Sequence, residues 1–299
     1  MQRICLSRRN VPSSFHSRVP EERGYQMVIV DSHCHVSPYW YEPVESLLFQ
    51  MDRNGVEKAV LVQYMGQFNN EYQFQCVRRF PGRFASVVLV DASAPDAVDK
   101  LERLVEQGAK GVRLRPNTPP CDAIAKAQSR RADDPLAIWR KAAELKLPVS
   151  CGGTGVDFAS EEFARLVQTF PDLPIVIEHL GSINTPDGET EPYEIRRRVL
   201  ALSQFPNTYI KIHGLGEFCK RMKHVSEAFP FESPIPAVLE MAYEAFGPER
   251  MMWGSDYPPV SGREGYGNAL RFTLEQFASK TQEDRDMIFG EMARSVFGL

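Results

Sequence analysis

From Met27 onward, short β-branched runs alternate with stretches whose apolar residues recur every three or four positions. Eight runs predict strands, at 28–33, 58–63, 84–90, 111–115, 148–151, 175–179, 209–213 and 251–256. Between them the helical period predicts helices at 42–54, 95–106, 135–146, 192–204 and 233–246, several opened by proline or followed by glycine. Thr281 and Asp284 have the spacing of a capping box that opens a last helix. Strand–helix alternation of this length argues for a parallel sheet. Eight units, with no GxGxxG after the first strand, favour an α/β fold closed as a single (β/α)8 TIM barrel over an open doubly wound sheet.

Residues 1–26 lack this periodicity and carry Arg3, Arg8, Arg9, Arg18 and Arg23 among serines and prolines. They are expected to form a disordered N-terminal extension to a barrel domain at 27–299. Arginine and serine enrichment fits an organelle transit peptide. Glu21 and Glu22 fit one poorly, and Met27 directly precedes the first strand, which favours Met27 as the start.

The first strand runs into Asp31-Ser32-His33-Cys34-His35. Strict alternation would put Asp31, His33 and His35 on one face and Ser32 and Cys34 on the other. Two neutral imidazoles so placed can take adjacent positions around one divalent metal, although the same spacing also occurs on strands that bind nothing. His179 ends the sixth run and Asp256 the eighth. A barrel gathers its strand ends at one mouth, where its chemistry sits. The four side chains are all metal-compatible and would meet there. Taken singly, His179 could satisfy a core hydrogen bond, and Asp256 could open a turn at Tyr257-Pro258-Pro259.

Composition narrows the partners. Of 299 residues, 43% are hydrophobic and 25% charged, which suits a soluble enzyme with a sizeable core. A formal charge of −4 leaves no basic surface for nucleic acid, and no apolar run approaches the roughly 18 residues of a membrane span. Six cysteines without a CxxC pair disfavour disulfides and a cysteine zinc knuckle, as expected of a cytoplasmic protein. The expected partner is a small molecule, with homo-oligomerisation left open.

Arg113 and Arg115 share a strand face, and a guanidinium near the mouth suits a substrate carboxylate, so an anionic substrate is expected; a structural salt bridge is the alternative. Lys211 shares its face with His213 by alternation and, if deep, needs a carboxylate partner. His213, ending the seventh run, reads as a fourth ligand, an acid for a leaving group, a substrate contact or a packing residue. Glu217 is a weaker candidate for a polar contact, and His16 and His224 read as surface residues. Long connections at 116–132, 182–191 and 257–268 would shape specificity.

Asp31-Ser32-His33-Cys34-His35, Glu178-His179-Leu180-Gly181 and Gly254-Ser255-Asp256-Tyr257-Pro258 together resemble the signature of the amidohydrolase superfamily. The most similar branch is the amidohydrolase-related group that holds 2-pyrone-4,6-dicarboxylate lactonase and metal-dependent decarboxylases, and the resemblance runs from Met27 to Leu299. It implies a barrel hydrolase in which a metal-activated water attacks a lactone, ester or amide. By position, His33, His35 and His179 would be ligands, and Asp256 a ligand or the base that takes the proton. One divalent metal is implied, zinc first, with metal-free catalysis as in some lactonases of the branch.

Departures from the pattern matter as well. The run ending at Arg115 offers no lysine or glutamate to bridge two metals, and the run ending at Cys151 offers no histidine, although Cys151 could ligate or pack. Related lactonases often carry serine where His213 stands. Two other functions stay open: decarboxylation or hydration of a small acid on the same centre, and a catalytically silent binding barrel.

Overall fold

The computed structural model describes residues 27–116, 136–183, 190–224 and 226–299. The expected disorder at 1–26, nearly all of the 116–132 connection, part of the 182–191 connection and the residues Cys5, His16 and Cys121 lie outside them. Eight strands follow one another around a single parallel sheet: β1 Ile29–Cys34, β2 Val56–Val62, β3 Phe84–Val88, β4 Gly111–Leu114, β5 Val149–Cys151, β6 Ile175–Ile177, β7 Thr208–Ile212 and β8 Met251–Trp253. Just beyond the strands, Asp256 N donates to His33 O (2.8 Å) and His35 N to Tyr257 O (2.7 Å), joining the last strand to the first. The expected (β/α)8 barrel is the observed fold.

Side-chain alternation sorts the core into two layers. Val30, Val60, Val62, Ala85, Val87, Val176 and Met252 form one apolar cluster, completed by Met292, Ala293 and Phe297 of the C-terminal helix. The other strand faces pack against the helices around Leu47, Leu101, Trp139 and Phe163. Predicted helices appear as Val44–Arg53, Ala97–Glu106, Ala137–Glu144, Glu194–Leu200 and Val238–Phe246. At the capping box, the Thr281 hydroxyl accepts from Asp284 N, and the Asp284 carboxylate accepts from Thr281 N. The helix Tyr266–Gln276 begins inside the predicted 257–268 connection, because Gly265 and Gly267 around its first turn hide its start from a periodicity count.

Strict alternation fails on β1. Its pairing with β2 shifts register between Asp31 and Cys34. Val30 therefore joins one core layer and Cys34, four residues on, the other. Asp31 does not turn toward the histidines. Its carboxylate accepts from Ser255 N (2.8 Å), Ser255 Oγ (2.6 Å) and Tyr266 Oη (3.0 Å). The irregularity thus separates a structural aspartate from the two histidines that follow.

Close approach of β1 and β8 also needs a missing side chain. A Cβ on Gly254 would lie 2.7 Å from His33 Cβ and 2.8 Å from His33 N. Only glycine lets the last strand lie against the first at the level of the histidines.

Candidate active site

His33 and His35 come from the end of β1, His179 from the residues after β6, His213 from those after β7 and Asp256 from those after β8. All five meet at one end of the barrel. The His33 ring centre lies 4.9 Å from those of His35 and His179 and 5.1 Å from that of His213, while His179 and His213 stack at 4.3 Å. Asp256 Oδ1 is 3.5 Å from His35 Nε2 and 3.9 Å from His33 Nε2. His179, Leu180 and Asp256 adopt φ of +53°, +49° and +56°. Non-glycine residues in that region carry backbone strain of order 1–3 kcal/mol each, and such strain gathers at functional sites.

Hydrogen bonds orient the rings. His35 Nδ1–H donates to Val62 O at 2.7 Å, which leaves Nε2 toward Asp256. His179 Nδ1 lies 2.7 Å from Glu217 Oε1, and Arg263 Nη1 donates to Asp256 Oδ2 at 2.9 Å. Burial by itself would lower the His179 pKa, but the carboxylates of Glu217 and Asp256 outweigh it and push it up to about 9. Burial opposes the charged form of Asp256, yet the surrounding histidines, His179 foremost, hold its carboxyl well below the usual range. His213 is pushed down to about 3, chiefly by burial. It is a neutral ring at physiological pH.

Beneath the histidines runs a buried chain of polar groups. Arg113 Nε and Nη2 grip Glu178, with the shortest contact 2.6 Å, while Nη1 donates to Gln63 O at 3.0 Å. Ser150 Oγ donates to Glu178 Oε1 (2.7 Å), and Lys211 Nζ donates to Ser150 Oγ (2.9 Å). Lys211 Nζ also lies 3.2 Å from His33 Nδ1. Burial raises the Glu178 pKa, but Arg113 and Lys211 more than offset it and hold the group at about 2. Lys211 falls to about 8, pulled down by burial and partly restored by Glu178.

Arg113 and Glu178 face a cavity of about 370 Å³, whose wall also includes Arg115, His179, Asp256 and Arg263. The Arg113 fork expected to hold substrate is closed on Glu178, as a structural salt bridge would be. Arg115, on the exposed side of the same strand end, keeps its place at the rim. Lys211 has its carboxylate partner in Glu178, reached through Ser150. Cys151 packs in the outer apolar layer, away from the histidines, and His224 is exposed.

Sequence reasoning did not find Arg263, which couples Asp256 to Glu217 (3.6 Å). The only signal was a lone arginine in the glycine-rich stretch seven residues after Asp256. Tyr41, whose ring stacks on His35 at 5.5 Å, was also missed.

Among the described residues, three donor sets are close enough to share an ion: His33 with His35 and Asp256, His33 with His179 and His213, and His179 with Glu217 and Asp256. His33 Nε2 and both nitrogens of His213 are buried without a hydrogen-bond partner among the described residues, although buried polar atoms are normally satisfied. Imidazole and carboxylate donors with unspent nitrogens fit a divalent metal.

The structure is a parallel barrel with histidines at the ends of its first, sixth and seventh strands and an aspartate at the end of the eighth, donors that could share a divalent ion at one rim. The amidohydrolase family model matches residues 30–299, and the chain belongs to that family. It is 25% identical over 223 residues to 4-sulfomuconolactone hydrolase of Rhizobium radiobacter, covering 72% of this chain. The matches span 30% and 66% of the lengths of the two curated relatives found. Among solved structures, the probable 2-pyrone-4,6-dicarboxylic acid hydrolase of Acinetobacter baumannii with citric acid bound is 19% identical, with a TM-score of 0.67 over 91% of this chain and 100% of its own. A zinc-bound amidohydrolase of Burkholderia multivorans is 19% identical, with a TM-score of 0.69 over 91% of this chain and 99% of its own. Among the described residues, no helix is long and apolar enough to cross a membrane.

Proposed function

We propose that the chain is a metal-dependent hydrolase of a small anionic lactone, ester or amide, working in the cytoplasm. The observation that carries this reading is the position of Asp256, with one oxygen beside His35 Nε2 and the unspent His33 Nε2 and the other tied to Arg263. His33, His35, His179 and Asp256 would hold the ion, with His213 beside it. When bound, a divalent metal, zinc first, polarises a carbonyl and makes water more acidic.

The protein's own groups divide the remaining work. Asp256 Oδ1 accepts the proton of the attacking water, and Arg263 fixes the carboxylate so that Oδ1 stays aimed at the histidines. Arg115 at the rim supplies a cation for the substrate's carboxylate, and Arg263 adds positive charge deeper in the cavity. Citrate bound to the Acinetobacter baumannii protein supports an anionic ligand, and the Rhizobium radiobacter relative supports a lactone.

Asp256→Asn tests the reading with a panel of lactones and aromatic acids on metal-quantified protein. Turnover on the best substrate should fall by about 10²–10⁴-fold with the fold intact. Retained turnover would remove Asp256 from the proton step. Release of CO₂ in place of a ring-opened product would replace hydrolysis with decarboxylation.

A further inference from the structure

Two anchors of the site run back to one buried side chain. Arg263, whose Nη1 holds Asp256 Oδ2, is followed in the chain by Glu264. Glu217, which accepts from His179 Nδ1, is preceded by Gly216. Glu264 Oε1 accepts from Gly216 N at 3.1 Å. This bond ties the connection after β8, which carries Asp256 and Arg263, to the turn after β7, which carries Glu217.

The fit around the carboxylate is close on both sides. The Glu264 side chain is fully buried against Gly214 and Gly216. A Cβ on Gly214 would collide with Oε1, and one on Gly216 with Oε2. A Gly-Leu-Gly turn lets both oxygens lie directly on the backbone. Between the glycines, Leu215 is anchored in the core, and Glu217 N donates to Gly214 O to close the turn. Oε2 has no hydrogen-bond partner among the described residues, and Arg263 Nε is 3.8 Å away. Burial of an incompletely satisfied carboxyl group costs stability, and burial pushes the Glu264 pKa up. Stability therefore does not account for the group, whereas its place at the junction of two anchors does.

We propose that Glu264 is a positioning residue, a strut that locks the turn at 214–217 against the connection after β8 so that Glu217 meets His179 while Arg263 meets Asp256. It acts through Glu217 and Arg263 rather than on an ion or a substrate. The strut works by its shape and by the hydrogen bond it accepts, not by its charge. Only the naming of His179 and Asp256 as ion ligands rests on the hydrolase reading.

Crystal structures of metal-free wild type and Glu264→Ala test this, with calorimetric zinc titration of both proteins below their melting temperatures. In the variant the 2.7 Å contact between His179 Nδ1 and Glu217 Oε1 should open beyond about 3.5 Å, and zinc should bind about 10-fold more weakly. Glu264→Gln keeps an oxygen for Gly216 N and should stay within about 3-fold of the wild-type zinc affinity, a rescue that a general loss of stability would not give. Gly216→Ala drives a Cβ into the place of Oε2. It should weaken zinc binding about 10-fold on its own and add nothing in Glu264→Ala, where the carboxylate is gone. An unmoved His179–Glu217 contact or an unchanged zinc affinity in folded Glu264→Ala would overturn the proposal, as would a Glu264→Gln protein no better than Glu264→Ala, or additive losses in the double variant. If Glu264→Ala does not fold, Gly216→Ala decides, and wild-type zinc affinity there would overturn it. The crystal structures require neither ion nor substrate, so a failed hydrolase reading and a failed strut are separate results.

Discussion

Removing Arg113 should destabilise the barrel in a way that fades with acid. Arg113→Met deletes the fork that grips Glu178 and the bond to Gln63 O, while Lys211 and Ser150 remain beside the carboxylate. A carboxyl whose pKa falls from an ordinary 4.5 to about 2 in the folded state contributes about 3 kcal/mol at neutral pH. Breaking a buried pair by removing one partner costs about 3–5 kcal/mol, which agrees. The sign follows from the direction of the shift. A depressed carboxyl stabilises fully above its unfolded pKa and loses that stability as the pH falls through its folded pKa.

Urea unfolding followed by tryptophan fluorescence measures this, since Trp139 and Trp253 are completely buried and report on the core. At pH 7 the variant should be about 3 kcal/mol less stable than wild type, and at pH 3 the difference should shrink to about 1 kcal/mol. A cost below about 1 kcal/mol at pH 7, or a difference that does not change with pH, would refute the view that Arg113 is committed to Glu178.

Other perturbations give separate readings. Gly254→Ala puts a Cβ 2.7 Å from His33 Cβ and should destabilise the fold by about 1–3 kcal/mol while displacing the histidine pair, seen as a lowered melting temperature together with weaker zinc binding. Arg263→Met frees Asp256 Oδ2 and should lower turnover more than it weakens substrate binding, visible as a fall in kcat at a nearly constant KM. Arg115→Ala should do the reverse, raising KM for an anionic substrate with kcat retained.

Much of this architecture was legible in the chain. Short β-branched runs and the helices between them carried the barrel, because strand and helix periods differ enough to be told apart. The strand-end histidines and Asp256 were legible because a barrel places every strand end at one rim. What stayed hidden depends on tertiary geometry. A register shift turned Asp31 away, and no local sequence rule announces one. The Arg113 fork closed on a glutamate 65 positions along the chain, so its solitary look in sequence suggested a ligand. Arg263 and the first turn of the helix Tyr266–Gln276 lay in a glycine-rich stretch that reads as loop, and Tyr41 reached His35 through a ring contact with no signature of its own.

Calorimetric zinc titration of wild type beside His179→Ala tests most directly whether residues scattered over the chain build a single centre. His179 follows β6, far in sequence from His35 and Asp256, so a shared site must feel its loss. One zinc per chain, with affinity reduced about 10-fold or more in the variant, is the expected result. Equal stoichiometry and affinity in the two proteins would contradict it, because the ion would then have no use for the histidine at the far side of the barrel.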